Sequence, residues 1–351
     1  MIIVHAIWGM PQTSGVSAFC AEVAAEQARI GNEVIILNDH DNRCPVAPWV
    51  KRVTAPSMAA IDVLPDVVHV HAVWSMFSVR VMRWCRQHKV PYVVSPHGGL
   101  MPRVFTIGRL KKYCFWFFVL KRLMLGAKAV HCTSEDEVAA CKRLGVAGRC
   151  FIAPLGVRLP IGWKAVAPLV PVPYVLFVGR LSEEKGLVCL LDAWMRLKLV
   201  DDKKIKSVKL VLAGPDWRGH QELLERKIEK EKIPGVIFFG AVDGEVKDAL
   251  YRHAICFVLP SPMENFSAVV LDALSYGVPV IATQGTPWKL LAAHQLGWWI
   301  PYAAESFELA LRQAISMSDQ DRLELGEKAR SLVVSKFNWS GVAEKVLASY
   351  G

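Results

Sequence analysis

The sequence predicts an α/β protein made of two doubly wound parallel sheets. Short apolar runs rich in β-branched residues alternate with helical patterns along most of the 351 residues, an order typical of repeated βαβ units. The alternation breaks once, at 154–173, where seven of twenty residues are Pro or Gly, as in a linker. A chain of this length, 53% of it hydrophobic, can form two cores. We therefore predict two domains, at 1–160 and 161–337, followed by an amphipathic helix at 338–351.

The first domain contains six predicted strands and three predicted helices. The strands are short apolar runs bounded by turn residues, expected at 2–6, 34–37, 67–71, 92–95, 129–133 and 151–154. The helices are expected at about 17–30, 78–88 and 135–144. Ser134 is a suitable N-cap for the last of these helices, and Gly145 is a suitable C-terminal stop.

The second domain repeats the pattern with five predicted strands. They are expected at 174–178, 208–213, 236–239, 255–259 and 278–282, with a helical pattern in each interval. Parallel strands joined by helices place their carboxyl-end loops at one edge of the sheet, and ligands bind there in doubly wound folds. The loops after the strands are therefore the first places to look for a site.

The most informative segment joins the last two of these strands. An acidic loop with Glu264 leads into a helical pattern that carries Asp272 eight positions later. A helix that begins near Phe266 or Ser267 would put free N–H groups and a positive dipole end between the two carboxylates. At ~1.5 Å per residue, the carboxylates would lie roughly 8–12 Å apart. This layout fits the sugar hydroxyls, pyrophosphate and ribose hydroxyls of a nucleotide-sugar.

A second candidate anion site follows the first strand of the second domain, in GRLSEEKG at 179–186. Arg180 and Lys185 lie in a strand-to-helix loop, where each charge-assisted contact with a pyrophosphate would contribute about 1.5–3 kcal/mol. A solvated loop is the alternative, and the acidic segment downstream favours the pyrophosphate. In the first domain, Gly15 opens the first helix, where the backbone can approach a phosphate or sugar closely. An ordinary turn explains a single glycine equally well.

The first domain is strongly basic. Residues 1–160 hold nineteen Lys or Arg against ten Asp or Glu, and no acidic residue occurs between Val67 and Ser134. Such a face attracts anionic lipid, diphosphate or nucleic acid. We weigh an interfacial element that dips into an anionic leaflet against an ordinary core-packed helix with basic ends. The proposed membrane or acceptor face consists of Arg103, Arg109, Lys111, Lys112, Trp116, Lys121 and Arg122.

Together, the segments at 179–186 and 264–272 resemble the retaining glycosyltransferases of group 1, also called family 4. The first matches the frequent family signature G-R-x-x-x-x-K-G, and the second matches E-x7-E with Asp272 in place of Glu. GTPW at 285–288, GWW at 297–299, SPHGGLMPR and CTSEDE are similar to members that build bacterial surface polysaccharides. The resemblance implies a GT-B fold, in which two Rossmann-like doubly wound domains face each other across a cleft. It also implies that the last helix crosses back onto the first domain.

The implied function is a hexosyltransferase that moves a sugar from a UDP- or GDP-sugar, bound by the second domain, to an acceptor bound by the first. We expect a saccharide acceptor linked to a lipid, in the synthesis of bacterial lipopolysaccharide, O-antigen or exopolysaccharide. The resemblance implies retention of configuration, with same-face attack by the acceptor and the donor phosphate helping to take its proton.

The resemblance also assigns roles to residues. The expected catalytic residues are His97, which follows the strand at 92–95, and Glu264. His97 would hydrogen-bond a sugar hydroxyl or the transferring centre, and a structural histidine that caps its loop is the alternative. The donor diphosphate is expected to contact Arg180, Lys185 and Gly15. The donor sugar and ribose are expected to contact Glu264, Asn265, Phe266, Ser267 and Asp272.

We expect no metal and no other cofactor, because two cations at the diphosphate would replace a metal ion. Asp39-His40-Asp41 is interpreted as a polar loop, and no other cluster has metal-ligand spacing. Nine cysteines without a C-x-x-C pair suggest buried, reduced thiols in a cytosolic protein. No apolar run reaches the ~18 residues of a membrane span. We therefore expect a cytoplasmic enzyme that is peripheral at the inner face of the cytoplasmic membrane.

Two other functions remain open. A sugar-nucleotide epimerase on the same fold would need acid and base carboxylates in the first domain, and 67–134 offers none. A non-catalytic basic module that binds membrane or nucleic acid would have no use for the Arg180 and Lys185 pair. We therefore expect no nucleic-acid partner.

Overall fold

The structure, a computed structural model, describes residues 1–11, 14–40, 43–106, 108–160 and 167–351, with the backbone alone at Ala147. The chain divides into two compact units. The first unit comprises Met1–Gly156 and Phe337–Gly351, and the second comprises Val157–Lys336.

The first unit is built on a seven-stranded, entirely parallel sheet. Its strands are β1 (Ile2–Gly9), β2 (Glu33–His40), β3 (Lys51–Thr54), β4 (Val67–His71), β5 (Tyr92–Ser95), β6 (Ala129–Cys132) and β7 (Cys150–Ile152). Their order across the sheet is β3-β2-β1-β4-β5-β6-β7. The chain therefore winds outward from β1 to β3, and then in the other direction from β4 to β7, as in doubly wound folds.

The helices of this unit alternate with the strands. They are α1 (Gly15–Arg29), α2 (Met76–His88), α3 (Arg109–Phe115), α4 (Lys121–Leu125) and α5 (Glu135–Arg143). A π-helical turn, Trp116–Leu120, joins α3 to α4. Serine N-caps at 14, 75 and 134 explain where α1, α2 and α5 begin, because each hydroxyl oxygen accepts a backbone N–H from the first turn.

Both faces of the first sheet are buried, which is why its strands read as continuous apolar runs. In β1, Val4 and Ala6 point into one core, and Ile3 and Ile7 point into the other. The second core also contains Phe19 of α1. Side chains therefore alternate between two cores along one strand, as strand geometry requires.

The second unit is a six-stranded parallel sheet in the order β10-β9-β8-β11-β12-β13. Its strands are β8 (Tyr174–Val178), β9 (Lys209–Ala213), β10 (Val236–Gly240), β11 (Cys256–Leu259), β12 (Val280–Thr283) and β13 (Gly297–Ile300). Its helices are α6 (Leu187–Lys198), α7 (Lys203–Ser207), α8 (His220–Glu231), α9 (Gly244–His253), α10 (Ala268–Ser275), α11 (Leu290–Ala293), α12 (Ala304–Ser316) and α13 (Asp319–Lys336).

The last helix, α14 (Trp339–Ala348), belongs to the first unit. Asn338 caps it by accepting the Gly341 N–H at 2.7 Å. Val342 and Val346 pack in the core shared with α1. The end of the chain is held by Lys128, whose Nζ donates to the carbonyl oxygens of Tyr350 and Gly351 at 2.8 and 2.6 Å.

The predicted fold class is confirmed by two parallel α/β sheets with doubly wound order. Two edge strands, β3 and β13, were not predicted. Both are four residues long, with the sequences KRVT and GWWI. Neither sequence is an apolar run rich in β-branched residues. Edge strands of this kind are recognised by their pairing with β2 and β12 rather than by composition.

None of the helices in the described ranges combines the length and apolarity needed to cross a bilayer.

In each sheet the strand order reverses at one point, and there the loops diverge. The reversal lies between β1 and β4 in the first unit, and between β8 and β11 in the second. Crevices at such points bind ligands in doubly wound folds. In the second unit, the two loops that leave this point are the ones that carry Arg180 with Lys185 and Glu264.

Candidate functional site

The loop after β8 presents two cations that the structure holds in different ways. The guanidinium of Arg180 lies 4.8 Å from the centre of the Trp217 ring and 3.0 Å from Glu184 Oε1. Lys185 Nζ lies 2.5 Å from Glu264 Oε1, and both side chains are more than four-fifths buried. The Lys185–Glu264 pair therefore joins the loops after β8 and β11.

Glu264 is held so that one of its oxygens remains available. Its Oε1 accepts from Lys185 Nζ and from Ser261 Oγ, the latter at 2.6 Å. Its backbone N–H donates to Gly285 O at 3.1 Å. Within the part of the chain that the structure describes, Oε2 has no hydrogen-bond donor. A ligand hydroxyl can therefore donate to this fixed carboxylate without displacing the lysine.

Two glycines allow this loop to pack tightly. A Cβ at Gly285 would lie 1.8 Å from Pro262 O, which is far inside contact distance. Gly186 adopts a φ of +68°, and a Cβ there would lie 2.2 Å from Pro260 O. The backbone that carries Glu264 can reach its observed position only because both neighbours lack a side chain.

The helix after this loop begins at Ala268, one or two residues later than the predicted start near Phe266 or Ser267. Ser267 is its N-cap residue, with a φ of +68°, a conformation that favours glycine. Phe266 is buried against Trp288, with ring centres 5.2 Å apart. Two other residues expected to contact the donor, Asn265 and Ser267, are half-buried.

Asp272 lies inside α10 and also pairs with a lysine. Its Oδ2 is 2.6 Å from Lys247 Nζ on α9. Its Oδ1 receives no hydrogen bond from the residues that the structure describes. The two carboxylates of the motif therefore share one arrangement, with one oxygen held by a cation and the other open.

The two tandem tryptophans pack rather than face a ligand with their N–H groups. Trp298 Nε1 donates to Gln313 Oε1 at 2.6 Å, and Trp299 Nε1 donates to Thr286 O at 3.1 Å.

Gly15 and His97 lie in the first unit, beside its own point of strand reversal. Gly15 is the first residue of α1, and a Cβ built on it would meet no atom within 4 Å from the described residues beyond its chain neighbours and its own helix backbone. His97 has a φ of +51°, a left-handed conformation that is costly for a residue with a side chain. The next N–H, of Gly98, donates to Glu137 Oε1. His97 Nε2 bonds to His71 Nδ1 at 3.0 Å, so the side chain does not cap its loop.

His97 is the partly exposed member of a group of five histidines. The other four, His5, His69, His71 and His131, are buried on one side of the first sheet. Burial lowers the pKa of His5 and His131 to about 4 and of His97 to about 3. Burial, together with the neighbouring histidines, also holds the pKa values of His69 and His71 well below their usual range. All five rings are therefore neutral at pH 7.

The predicted basic face needs one correction. Trp116 is 4% exposed and packs in the core with Leu120 and Leu123, so its assignment to the membrane or acceptor face is wrong. The most exposed aromatic residues of this segment are Phe117 and Phe118, at 67% and 77%, and Tyr113 is exposed at 45%. Of the basic residues, Lys112 and Lys121 are half-buried, and the others are exposed, namely Arg103, Arg109, Lys111 and Arg122.

Among the described residues, two clusters of possible metal ligands are present that sequence spacing does not indicate. His5, Cys20 and His71 have their ligand atoms within 4.8 Å of one another, and so do Cys132, Cys141 and Cys150. In the first cluster, the two histidine nitrogens hydrogen-bond to each other. Asp39 lies 3.8 Å from Arg80, and Asp41 falls outside the described residues. The absence of a metal remains a prediction.

Sequence reasoning missed three residues that support the site. Lys247 lies on a helix without a recognisable motif, so nothing in the sequence links it to Asp272. Trp217, which stacks on Arg180, is equally isolated. Glu137 follows Ser134 by three residues, a capping-box spacing that suggests only a local role. Its carboxylate in fact accepts from the N–H and hydroxyl of Thr133 and from the distant Gly98 N–H.

Comparison with known families agrees with this arrangement. Residues 167–332 match the family model of glycosyl transferases group 1, and residues 14–156 match the glycosyl transferase 4-like domain. The two matches coincide with the two sheets. The protein is a GT-B glycosyltransferase. The predicted enzyme class is therefore confirmed.

Relatives of the glycosyltransferase include one uncharacterized protein and enzymes with a named activity. An uncharacterized glycosyltransferase of Methanocaldococcus jannaschii is 27% identical over 81% of this chain and 75% of its own length. A GDP-mannose:cellobiosyl-diphosphopolyprenol alpha-mannosyltransferase of Xanthomonas oryzae is 25% identical over 84% and 76%. The lipopolysaccharide 1,2-N-acetylglucosaminetransferase of Salmonella typhimurium is 27% identical over 49% and 46%.

Solved structures share the fold over the whole chain. Sucrose-phosphate synthase from Thermosynechococcus elongatus superposes with a TM-score of 0.78, at 19% identity, over 100% of this glycosyltransferase and 98% of the synthase. Anabaena HepE, in complex with UDP and glucose, gives a TM-score of 0.74 at 16% identity over 99% and 98%.

Proposed function

We propose that the glycosyltransferase is a retaining enzyme that takes a hexose from a nucleotide-sugar and adds it to a saccharide carried on a lipid. The observation that carries this proposal is the Lys185–Glu264 pair at the strand reversal of the second unit. A diphosphate ligand and a sugar ligand require a cation and a carboxylate side by side, and this pair supplies both. The named relatives that use GDP-mannose, and the HepE complex with UDP and glucose, support a nucleotide-sugar donor.

Each charged group has a task in this proposal. Arg180 and Lys185 stabilise the negative charge that grows on the leaving diphosphate, a task that a metal ion performs in other transferases. The open Oε2 of Glu264 accepts a hydroxyl of the donor sugar. The open oxygen of Asp272 accepts a ribose hydroxyl, and the first amides of α10 face the phosphates. His97 and Gly15 of the first unit contact the transferring sugar and the diphosphate.

The chemical step in this proposal needs no protein nucleophile. The acceptor hydroxyl attacks the anomeric carbon from the face that the diphosphate leaves, so the anomeric configuration is retained. The departing phosphate oxygen takes the acceptor's proton, which balances the charge on the leaving group. Arg180 and Lys185 then hold the nucleoside diphosphate product.

The basic first unit supports an acceptor presented at an anionic membrane surface. Its exposed Phe117 and Phe118 lie among Arg109, Lys111 and Arg122, and aromatic residues with cations are typical of interfacial segments. The relatives named for a diphosphopolyprenol acceptor and for lipopolysaccharide support this choice. We therefore propose a role in bacterial lipopolysaccharide, O-antigen or exopolysaccharide synthesis, at the inner face of the cytoplasmic membrane.

Thermal stabilisation by UDP-, GDP- and ADP-sugars tests the donor assignment directly. A ligand at a hundred times its dissociation constant adds ~2.7 kcal/mol to the free energy of unfolding, which is a readily measured shift. We expect one nucleotide class to stabilise the wild type without added metal, and the shift to vanish in Arg180→Ala/Lys185→Ala. The matched control, Arg226→Ala/Lys230→Ala, removes two exposed charges from α8 in the same unit and should keep the shift.

Two results would contradict the donor assignment. One is a flat response to every donor, which would favour the non-catalytic basic module. The other is an equal loss in both double variants, which would mean that net charge, and not the loop after β8, binds the nucleotide.

A further inference from the structure

Nine hydrogen-bonding groups of the first unit form one unbranched chain that ends at His97. It lies between the first sheet and helices α1 and α14, and every member except His97 is buried. The links, in order, are His131 Nε2 to Ala153 O (2.7 Å), His131 Nδ1 to Ser95 Oγ (2.6 Å), Ser95 Oγ to His69 Nε2 (2.6 Å), His69 Nδ1 to Tyr350 Oη (2.6 Å), Tyr350 Oη to Gln27 Nε2 (3.3 Å), Gln27 Oε1 to His5 Nε2 (2.8 Å), His5 Nδ1 to His71 Nε2 (2.9 Å) and His71 Nδ1 to His97 Nε2 (3.0 Å).

In the first four hydrogen bonds, from Ala153 to Tyr350, only one assignment of donor and acceptor is possible. A carbonyl oxygen accepts and never donates, so His131 must carry its proton on Nε2. In the neutral ring Nδ1 is then an acceptor, and it takes the hydroxyl proton of Ser95. The serine oxygen must in turn accept from His69 Nε2. This leaves His69 Nδ1 to accept the hydroxyl proton of Tyr350.

The donors and acceptors of the other four hydrogen bonds, from Tyr350 to His97, are then set by the Tyr350 hydroxyl. The tyrosine proton is used toward His69, so its oxygen must accept from the amide nitrogen of Gln27. The amide oxygen then accepts from His5 Nε2, and His5 Nδ1 accepts from His71 Nε2. The last link must therefore run from His97 Nε2–H to His71 Nδ1. This direction requires that all five rings are neutral, and their lowered pKa values meet that requirement.

We propose that this chain fixes the tautomer of His97, with the proton on Nε2 and a lone pair on Nδ1, and that Tyr350 is the positioning residue that transmits the direction. His97 Nδ1 receives no hydrogen bond from the residues that the structure describes, and the residue is partly exposed. It is therefore an acceptor without a donor. The group that it recognises must be a donor, such as a sugar hydroxyl.

This assignment deepens the proposed function and rests on it for the identity of the ligand. A neutral acceptor at His97 binds a hydroxyl and disfavours a carboxylate or phosphate at the same position of the sugar, since two acceptors repel. The site would thus select a neutral hexose over a hexuronate. A protonated or reversed histidine would have the opposite preference.

The tautomers can be measured without any ligand. In protein labelled with ¹⁵N-histidine, long-range proton–nitrogen correlation spectra distinguish the protonated from the bare ring nitrogen. At neutral pH we expect His5, His69, His71, His97 and His131 to be neutral, with Nε2 protonated in each. A His97 that carries its proton on Nδ1, or a charged ring among the five, would overturn the proposal.

Tyr350→Phe tests whether the Tyr350 hydroxyl determines the tautomer of His97. Among the residues that the structure describes, Tyr350 provides the only hydrogen-bonded link between the two halves of the chain. Without it, His69 and His131 keep their tautomers while His5, His71 and His97 become free to reverse. We expect mixed tautomers at those three residues only. The control, Tyr92→Phe, removes a buried hydroxyl that donates to Leu123 O in the same unit, and it should leave all five unchanged. A single unchanged tautomer at His97 in Tyr350→Phe would contradict the role of Tyr350.

Ligand binding separates this inference from the proposed function. If half of the Tyr350→Phe molecules carry the reversed His97, affinity for the sugar-nucleotide falls about twofold, whereas affinity for the nucleoside diphosphate alone is unchanged. A loss that is equal for both ligands would contradict recognition of the sugar by His97. If no nucleotide binds even to the wild type, the proposed function fails, and the tautomer spectra still decide whether the chain sets His97.

Discussion

At the scale of single residues, the candidate donor site contains two carboxylates that each have one oxygen bonded to a lysine and the other open to a ligand. Glu264 and Asp272 each hold one oxygen against a lysine, Lys185 and Lys247 respectively. The pairing fixes the orientation of both carboxylates, because a charge-assisted hydrogen bond is stronger than a neutral one. The second oxygen of each acid can then bind a hydroxyl without reorganisation, which lowers the entropic cost of binding. Asp272 is one methylene shorter than the usual Glu, and Lys247 reaches it from α9.

Gly285→Ala tests whether the position of Glu264 matters. The new Cβ would lie 1.8 Å from Pro262 O, so the loop after β11 must move. We expect a destabilisation of about 1–3 kcal/mol and a loss of sugar-nucleotide affinity of about tenfold or more, since a hydrogen bond to a charged group contributes about 1.5–3 kcal/mol. Denaturant unfolding and calorimetric titration measure the two effects.

Gly148→Ala is the matched control, because a Cβ there meets no atom within 4 Å from the described part of the chain beyond its immediate neighbours. It should change stability by less than about 0.5 kcal/mol and leave binding intact. If Gly285→Ala behaves like this control, the tight packing of the loop has no bearing on the site.

At the scale of elements, the segment from α3 to α4 has two faces that the sequence alone leaves mixed. Trp116 and Leu120, four residues apart, are buried, and Phe117 and Phe118 between them are exposed. The apolar run at 113–120 shows that the segment is hydrophobic, but the helix phase decides which side chains enter the core. The π-helical turn at Trp116–Leu120 changes that phase. The exposed aromatic face is therefore a result of packing.

Phe117→Asp/Phe118→Asp tests this face as a membrane contact. We expect the wild type to sediment with vesicles that contain phosphatidylserine and to be released by salt, because each basic residue near an anionic surface contributes about 1 kcal/mol. The variant should bind at least about tenfold more weakly, since both rings lose their burial in the bilayer interface.

The matched control for the membrane experiment is Leu223→Asp/Leu309→Asp, which changes two exposed leucines of the second unit and should bind like the wild type. Equal binding to neutral phosphatidylcholine vesicles, or no loss in the phenylalanine variant, would show that this face does not contact membranes.

At the scale of the whole molecule, the buried histidines connect stability to pH. In the folded first unit their pKa values are lowered, and in the unfolded chain they titrate near ~6.5. The unfolded chain therefore binds more protons between pH ~6.5 and ~4, and stability falls as the pH falls through this window. When the pH falls from about 7.5 to about 5.5, each histidine that stays neutral in the folded unit lowers the free energy of unfolding by roughly 1.4 kcal/mol.

Urea unfolding at the two pH values checks this expectation. We expect the free energy of unfolding of the wild type to be several kcal/mol lower in the more acidic buffer. Each histidine that stays neutral in the folded unit contributes roughly 1.4 kcal/mol to this loss. His5→Gln should reduce this loss by about one histidine's share. His294→Gln, at an exposed position of the second unit, should not. A wild type that is equally stable in both buffers would contradict the neutral histidine chain.

The sequence by itself determined the two doubly wound sheets, the enzyme class and the residues proposed to meet the donor. These depend on short-range information, namely the period of apolar residues and the spacing of charges within one loop and helix, which a linear pattern records. The tertiary structure decided which partner each charge has and which aromatic residues face outward. It also decided that five histidines, from β1, β4, β6 and the loop after β5, form one hydrogen-bonded chain with Tyr350. Contacts between residues such as His69 and Tyr350, 281 positions apart, depend on strand order and helix phase, which no local pattern specifies.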